Sequence, residues 1–314
     1  MSVTLDNTKG ASLRVAAKPS LDRVRRARTG ALQPYRAWTP YAFLLPALTI
    51  LGVFVLAAMV QVLYYSFTRY TAFRGPDWVG TDNYRRVFGS ALFWATLRNS
   101  LLYLLVTPVI MALSLGAALV VHAGLRYAKG LRALLFLPVV TPTIVAAVAF
   151  RVVFNEDDGL LNWLLAKTWV GPVRWLSQYP FTLISAMVVT LWKGFGYYMM
   201  VFLAGLIAVP RELEEAATID GAGRLGVFWH VTLPSIRPVL VLVALISSIS
   251  ALKVFDEVFV TLQGAKDADK TVVWLVYNTA FENGDYGYAS AIGIVLFVII
   301  LAFSLVNLRV TRER

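Results

Sequence analysis

The sequence predicts an all-α, polytopic membrane protein with six membrane-spanning helices. Three observations carry this. Hydrophobic residues make up 58% of the 314-residue chain and charged residues only 15%, where soluble domains run to about a quarter charged. Uncharged apolar runs recur at the length of a bilayer. Residues 41–67 (YAFLLPALTILGVFVLAAMVQVLYYSF) and 286–308 contain no charge, and about 20 such residues cross the hydrocarbon core. The arginines gather at the ends of these runs and in the N-terminal tail, which is how orientation is written in membrane proteins.

Residues 1–38 form a basic tail carrying Arg23, Arg25, Arg26, Arg28 and Arg36. It has no apolar core followed by a small-residue cleavage site, so it reads as a retained cytoplasmic segment and not a signal peptide. Residues 39–94 hold the first span, 41–67, and an outer loop. Five further spans are expected within 95–308, at 96–121, 132–154, 181–208, 237–260 and 286–308, followed by a short C-terminus at 309–314. Pro46, Pro108, Pro138 and Pro142 fall within or at the starts of spans. Bundled membrane helices tolerate them because neighbours satisfy the freed backbone groups.

A cytoplasmic tail fixes the rest by alternation. Residues 122–131, with Arg126 and Lys129, fall inside. So do 209–236, with Arg211 and Arg224, and the C-terminus, with Arg309, Arg312 and Arg314. The loops at 68–95, 155–180 and 261–285 fall outside and hold most of the acids. Arg69, Arg74, Arg85 and Arg86 weaken the bias in the first of these loops, but the tail weighs more. The aromatics Trp38, Tyr41, Tyr64, Tyr65, Trp94 and Trp175 fit an interfacial belt. Residues 271–283 predict a short outer helix lying on the bundle.

Several chemistries drop out. The chain has no cysteine and only two distant histidines, His122 and His230, so no metal site is expected. The net charge of +11 does not indicate nucleic acid, because the arginines mark topology. No G-x-x-x-x-G-K-[ST] loop, H-E-x-x-H or G-x-S-x-G occurs, so the chain is expected to be neither an ATPase nor another enzyme.

One polar segment interrupts the apolar pattern at 212–234, ELEEAATIDGAGRLGVFWHVTLP. Pro210 suits a helix start, and Glu212, Glu214 and Glu215 follow where carboxylates favour the helix N-terminus. Ala216 and Ala217 are strong helix formers. Asp220-Gly221 signals a turn, with Gly free to take positive φ. Leu225, Phe228 and Trp229 recur at helical spacing, and Pro234 ends the second helix. By pattern alone, two short helices cover the cytoplasmic ends of the spans.

The spacing adds more. Glu215-Ala216-Ala217, three residues, Gly221, nine residues, then Val231-Thr232-Leu233-Pro234 resembles the EAA motif of permease subunits in binding-protein-dependent ABC importers. The only departure is Val231 where the family has Ile. WVGTDNYRRVF (78–88), LFWATLRNSLLY (92–103), LWKGFGYYM (191–199) and LKVFDEVFVTLQG (252–264) resemble its sugar-importer branch, in the short six-span form of the maltose-transporter first-permease type. The likeness runs from about residue 36 to the C-terminus.

This resemblance implies a type I ABC importer permease fold in a bacterial or archaeal inner membrane. Its partners would be a second permease, two copies of an ATPase and an extracytoplasmic binding protein. ATP and Mg would be bound by the ATPase, with no cofactor in this chain. Residues 211–234 would be coupling helices, with Glu215, Ala216, Ala217, Asp220, Gly221, Leu233 and Pro234 at the ATPase contact. The cargo implied is an oligosaccharide, disaccharide or polyol, with glycerol phosphate as the alternative.

Charges inside the bilayer bear on that cargo. Lys193 lies mid-span, and Lys253, Asp256 and Glu257 lie in the outer half of 237–260. Each costs about 2.5–3.5 kcal/mol on insertion scales, so such groups face a partner or a wet cavity. Lys253 and Asp256 are expected on one helix face, where they either neutralise each other or line a cavity. Lys193, Gly194 and Tyr197 are likewise expected to share a face. By resemblance, Thr190, Lys193, Gly194, Tyr197, Lys253 and Asp256 match positions lining the sugar site of maltose-type permeases. That site uses uncharged groups where this chain has Lys193, Lys253 and Asp256. An ion-coupled secondary transporter would use the same charges, but it predicts inverted repeats that the sequence lacks and leaves 212–234 unexplained.

Overall fold

The computed structural model describes residues 38–124, 127–168 and 171–312. The tail arginines, Arg126 and Arg314 lie outside the described residues. The chain divides into two units, one up to Met59 and one from Val60 onward.

In the first unit, helix α1 (Thr39–Ile50) leads through a wider π-helical stretch (Leu51–Leu56) into the start of α2 (Ala57–Ser66). None of the residues from Tyr41 to Met59 is buried. An apolar helix with Phe43 82% and Phe54 75% exposed is stable only against lipid or another apolar surface.

The second unit opens with a hairpin that the sequence reading did not anticipate. Strands β1 (Thr68–Thr71) and β2 (Arg74–Trp78) pair antiparallel, with Thr68 opposite Trp78. Helix α3 (Asp82–Gly89) follows, then α4 (Ala91–Tyr103) and α5 (Val106–His122). Ser90 caps α4, its Oγ accepting from the Phe93 N–H at 3.2 Å. Such caps satisfy an otherwise orphaned backbone donor. α4 and α5 together form one apolar path of 32 residues.

The predicted span 132–154 is not straight. It consists of α6 (Ala128–Val140) and α7 (Thr143–Val153), bent by 95°. Thr141 between them is extended, with ψ 128°. Pro142 forces this, because a proline ring disfavours helical backbone in the residue before it. The short α8 (Leu160–Leu165) follows.

The central element is α9 (Phe181–Ile207), a single 27-residue helix packed along α5 and α6. Small residues let it approach closely. A Cβ on Gly196 would lie 2.3 Å from the Leu135 carbonyl oxygen, so α9 crosses α6 with backbone against backbone. Tyr103, Ile110, Met199, Phe202 and Leu206 are fully buried around this crossing.

Beyond α9 come α10 (Arg211–Ile219), α11 (Arg224–Val227), a π turn (Phe228–Thr232) and α12 (Leu233–Ser235). A 67° bend then enters α13 (Arg237–Leu252). The predicted span 237–260 ends early. α13 stops at Leu252, and α14 (Asp256–Thr261) starts only after a break. No proline or glycine marks this break. It is held from outside, where the Thr271 hydroxyl donates to the Val254 carbonyl at 3.2 Å.

The expected helix at 271–283 is present as α15 (Val272–Tyr277) and a π turn (Asn278–Glu282), with Val272, Trp274 and Leu275 buried against the bundle. The last helix, α16 (Tyr286–Arg312), is tied to the hairpin and α3. Arg86 pairs with Asp285 at 2.9 Å and stacks over Tyr288. A Cβ on Gly287 would lie 2.1 Å from the Thr68 carbonyl oxygen. Among the described residues, four continuous helices are long and apolar enough to cross a membrane, and the two bent pairs bring the number to six when each counts as one crossing.

Candidate functional site

Two places gather the residues singled out by the sequence. The first is 210–235. Pro210 stands at the N-cap of α10 with extended backbone, one residue before the first turn. Glu212 and Glu214 occupy that turn. The C-terminus closes on Gly221 in the left-handed conformation, φ +87°. The Ala222 N–H donates to Ala217 O at 2.9 Å and the Gly221 N–H to Thr218 O at 3.1 Å. These two bonds form a Schellman closure, which satisfies the last carbonyls of the helix. Asp220 and Gly221 thus make the bend that the sequence predicts.

Side chains then fix the second helical arm against the first. The buried Thr232 hydroxyl donates to Glu214 Oε1 at 2.9 Å. Glu214 therefore faces inward, while its neighbours Glu215 and Ala216 are exposed and Ala217 is half-buried. Leu233 is half-buried and Pro234 exposed. The sequence reading placed Glu214 with Glu212 and Glu215 at the helix N-terminus and singled out Glu215, so the tie from Glu214 to the second arm was missed. Its buried partner, 18 residues away, was the missing signal. Ile219, Leu225 and Trp229 are exposed, at 85%, 76% and 59%. Exposed apolar groups of this size mark a contact surface for a protein, a membrane or a ligand.

The second place is a cleft of about 340 Å³ at the α13–α14 break. It brings together three of the six predicted cargo residues, Thr190, Lys253 and Asp256, with Ser250, Phe255 and Glu257. The helix-face argument for Lys253 and Asp256 fails, because the helix ends between them. They converge through the break. Among the described residues, no ion pair within 4 Å involves Lys193, Lys253, Asp256 or Glu257. Behind the cleft, the fully buried Tyr103 hydroxyl and Thr190 Oγ1 lie 2.7 Å apart and share a hydrogen bond.

Lys193, Gly194 and Tyr197 do not line this cleft. Gly194 turns inward, and a Cβ there would lie 2.8 Å from Ile110 Cδ1, so it serves helix packing. Tyr197 is 44% exposed and contacts Tyr198 edge-on at 5.2 Å. Ser250 and Phe255 were missed by the sequence reading. The hydroxyl-rich Ser247-Ser248-Ile249-Ser250 stretch in an apolar helix was the available signal. Among the described residues, no cluster of three or more His, Asp or Glu side chains could hold a metal ion.

A bent, mostly helical apolar bundle with a braced two-helix arm and a polar cleft at a broken helix defines a solute permease. Residues 88–313 match the family described as binding-protein-dependent transport system inner membrane component, and the chain belongs to that family. It is 33% identical over 288 residues to the trehalose/maltose transport system permease protein MalF of Thermococcus litoralis, covering 91% of this chain and 98% of that one. It is also 33% identical over 282 residues to the arabinooligosaccharides transport system permease protein AraP of Bacillus subtilis, covering 87% and 88%. In fold it is similar to a chain of the bacterial alginate ABC transporter solved in complex with an alginate pentasaccharide-bound periplasmic protein, with a TM-score of 0.76, 21% identity and coverage of 94% and 97%.

Proposed function

We propose that this chain is one of two permease subunits of an ABC importer for a carbohydrate, an oligosaccharide, disaccharide or polyol. The observation that carries the cargo class is the near full-length similarity to permeases named for trehalose/maltose and arabinooligosaccharide transport. The arm at 211–234 seats on a separate cytoplasmic ATPase, present in two copies, which binds ATP and Mg. Leu225 and Trp229 supply the apolar contact, and Glu215 the exposed carboxylate that meets a basic residue. Asp220 and Gly221 set the bend, and Ala216, Ala217, Leu233 and Pro234 shape the seated surface. Both termini face the cytoplasm, and a binding protein delivers cargo from the other side of the inner membrane.

The cleft at Thr190, Lys253 and Asp256 is where cargo passes. Ser250 and Thr190 offer hydroxyls, Phe255 an apolar face and Lys253 and Asp256 charged hydrogen-bonding groups. Lys193, Gly194 and Tyr197 contribute on the same pathway, Gly194 through packing.

The test is uptake by the reconstituted complex in proteoliposomes, with di- and oligosaccharides, polyols and glycerol phosphates offered separately. ATP-dependent uptake of a neutral sugar supports the reading. Uptake of glycerol phosphate alone would move the cargo class. Uptake driven by an ion gradient without ATP would overturn the importer assignment.

A further inference from the structure

A cavity of about 1330 Å³ in the second unit is separate from the cargo cleft. It lies where α5 and α9 end and where α6 and α10 begin. Its wall is apolar: Ile207 and Ile219 are exposed, and the core residues Val121 and Leu203 show only their edges. Its rim is cationic, with Lys129, Arg132 and Arg211, and His122 beside them. Lys129 and Arg132 stand in the first turns of α6, and Arg211 opens α10. Cations there oppose the helix dipoles, which favour an anion. None of the three forms an ion pair within 4 Å among the described residues. Arg132 Nε is buried without a hydrogen-bond partner. Glu214 and Glu215 also face the cavity, but Glu214 is engaged by Thr232. Lys129, Arg132 and Arg211 thus face Glu215 and a Glu214 already held by Thr232.

The geometry points to a binding site for an anionic phospholipid, its phosphate on Lys129, Arg132 and Arg211 and an acyl chain along Val121, Leu203 and Ile207. The volume exceeds the roughly 300–1,000 Å³ of a small-molecule pocket and accommodates a headgroup with the start of a chain. Basic pockets between membrane helices recognise anionic headgroups in this way. A soluble phosphate would meet the cations but leave the apolar wall bare. The site lies apart from the cargo cleft and does not depend on the cargo class.

Native mass spectrometry of the full-length subunit in a non-ionic detergent tests this. The probes are phosphatidylglycerol, phosphatidylcholine with identical chains, and glycerophosphoglycerol, which is the headgroup without chains. Phosphatidylglycerol should be retained at least about tenfold better than either alternative. K129Q/R132Q should lose that preference, R132K should keep it, and R309Q, outside the cavity lining, should leave it unchanged. Ile207→Trp fills the apolar side with every cation in place and should also expel the lipid, which covers the case in which the double variant fails to fold. Equal retention of the two lipids, or an unaltered preference in both K129Q/R132Q and Ile207→Trp, overturns the proposal. Glycerophosphoglycerol bound as tightly as the lipid would replace it with a soluble phosphodiester site.

Discussion

Thr232 and Glu214, 18 residues apart, are joined by a 2.9 Å hydrogen bond that closes the two arms of the 211–234 segment on each other. Thr232 is buried, and Glu214 is partly so. A lever transmits force only if its arms keep a fixed angle, and this bond is the polar tie between them. Hydrogen bonds to charged groups are worth about 1.5–3 kcal/mol, and partial exposure puts this one near the lower end. Thr232→Val should therefore lower the melting temperature of the purified subunit. It should also reduce solute moved per ATP hydrolysed in the reconstituted complex. Glu214→Gln keeps an acceptor oxygen and should do less than Glu214→Ala. An unchanged transport-to-hydrolysis ratio in Thr232→Val would show that the arms move independently.

Gly221 tests the bend by backbone alone. Its φ is +87°, yet a Cβ would meet nothing within 4 Å. Gly221→Ala therefore adds no clash. Its cost is the left-handed conformation itself, about 1–2 kcal/mol for an L-residue. Gly223, two positions on, is equally open but has φ −71°, so Gly223→Ala should be close to neutral. A fall in coupled uptake for the first variant and not for the second is the expected pattern. Equal uptake in both would mean that the turn adapts without loss.

The two-helix arm at 211–234 was legible because its instructions are local. The Glu-Ala-Ala run, the Asp220-Gly221 turn and Pro234 each act on their own few residues. The apolar runs gave the spans for the same reason. The break after Leu252 was illegible. No proline or glycine lies at Lys253–Phe255, and apolar residues continue on both sides. Thr271, in a loop 17 residues further on, takes the Val254 carbonyl and holds the interruption open. The bend at Thr141-Pro142 lay between these cases. Its prolines were visible, but membrane helices often accommodate proline, so the sequence could not give a 95° turn. The cleft inherits this limit. Lys253 and Asp256 were found as charges in an apolar run, while their meeting through a helix break is tertiary.

The glycines of α9 separate packing from ligand contact. In Gly196→Ala the new methyl would sit 2.3 Å from Leu135 O, and backbone cannot yield as a side chain does. Overpacking of this kind costs about 1–3 kcal/mol or more. Poor folding yield and a lowered melting temperature are expected. Gly194→Ala meets the far end of Ile110 at 2.8 Å, which can rotate away, and the Tyr198 ring at an ordinary 3.5 Å. A small stability loss with unaltered solute preference fits a packing role for Gly194. A changed preference without a stability loss would place Gly194 against cargo. Gly293, with nothing within 4 Å, is the neutral control.

Lys253 and Asp256 line one cleft without an ion pair between them. Paired charges and independent cargo contacts make opposite predictions in a double-mutant cycle. If each residue meets cargo on its own, Lys253→Gln and Asp256→Asn should each raise the KM for uptake, by about tenfold for a loss of roughly 1.4 kcal/mol. The double variant should then show both losses added within about 0.5 kcal/mol, as independent sites do. A coupling above about 1 kcal/mol would mean that the two charges support each other and that cargo passes elsewhere. Tyr103→Phe gives a second reading of the same cleft. Tyr103 is fully buried and shares a hydrogen bond with Thr190 Oγ1, at 2.7 Å. Removing its hydroxyl frees Thr190 to reorient but removes no group from the cleft surface. The KM should shift while assembly with the partner subunits stays intact, and Thr190→Val should shift it further. Equal KM values in both variants would exclude Thr190 from the pathway and leave its bond to Tyr103 as packing alone.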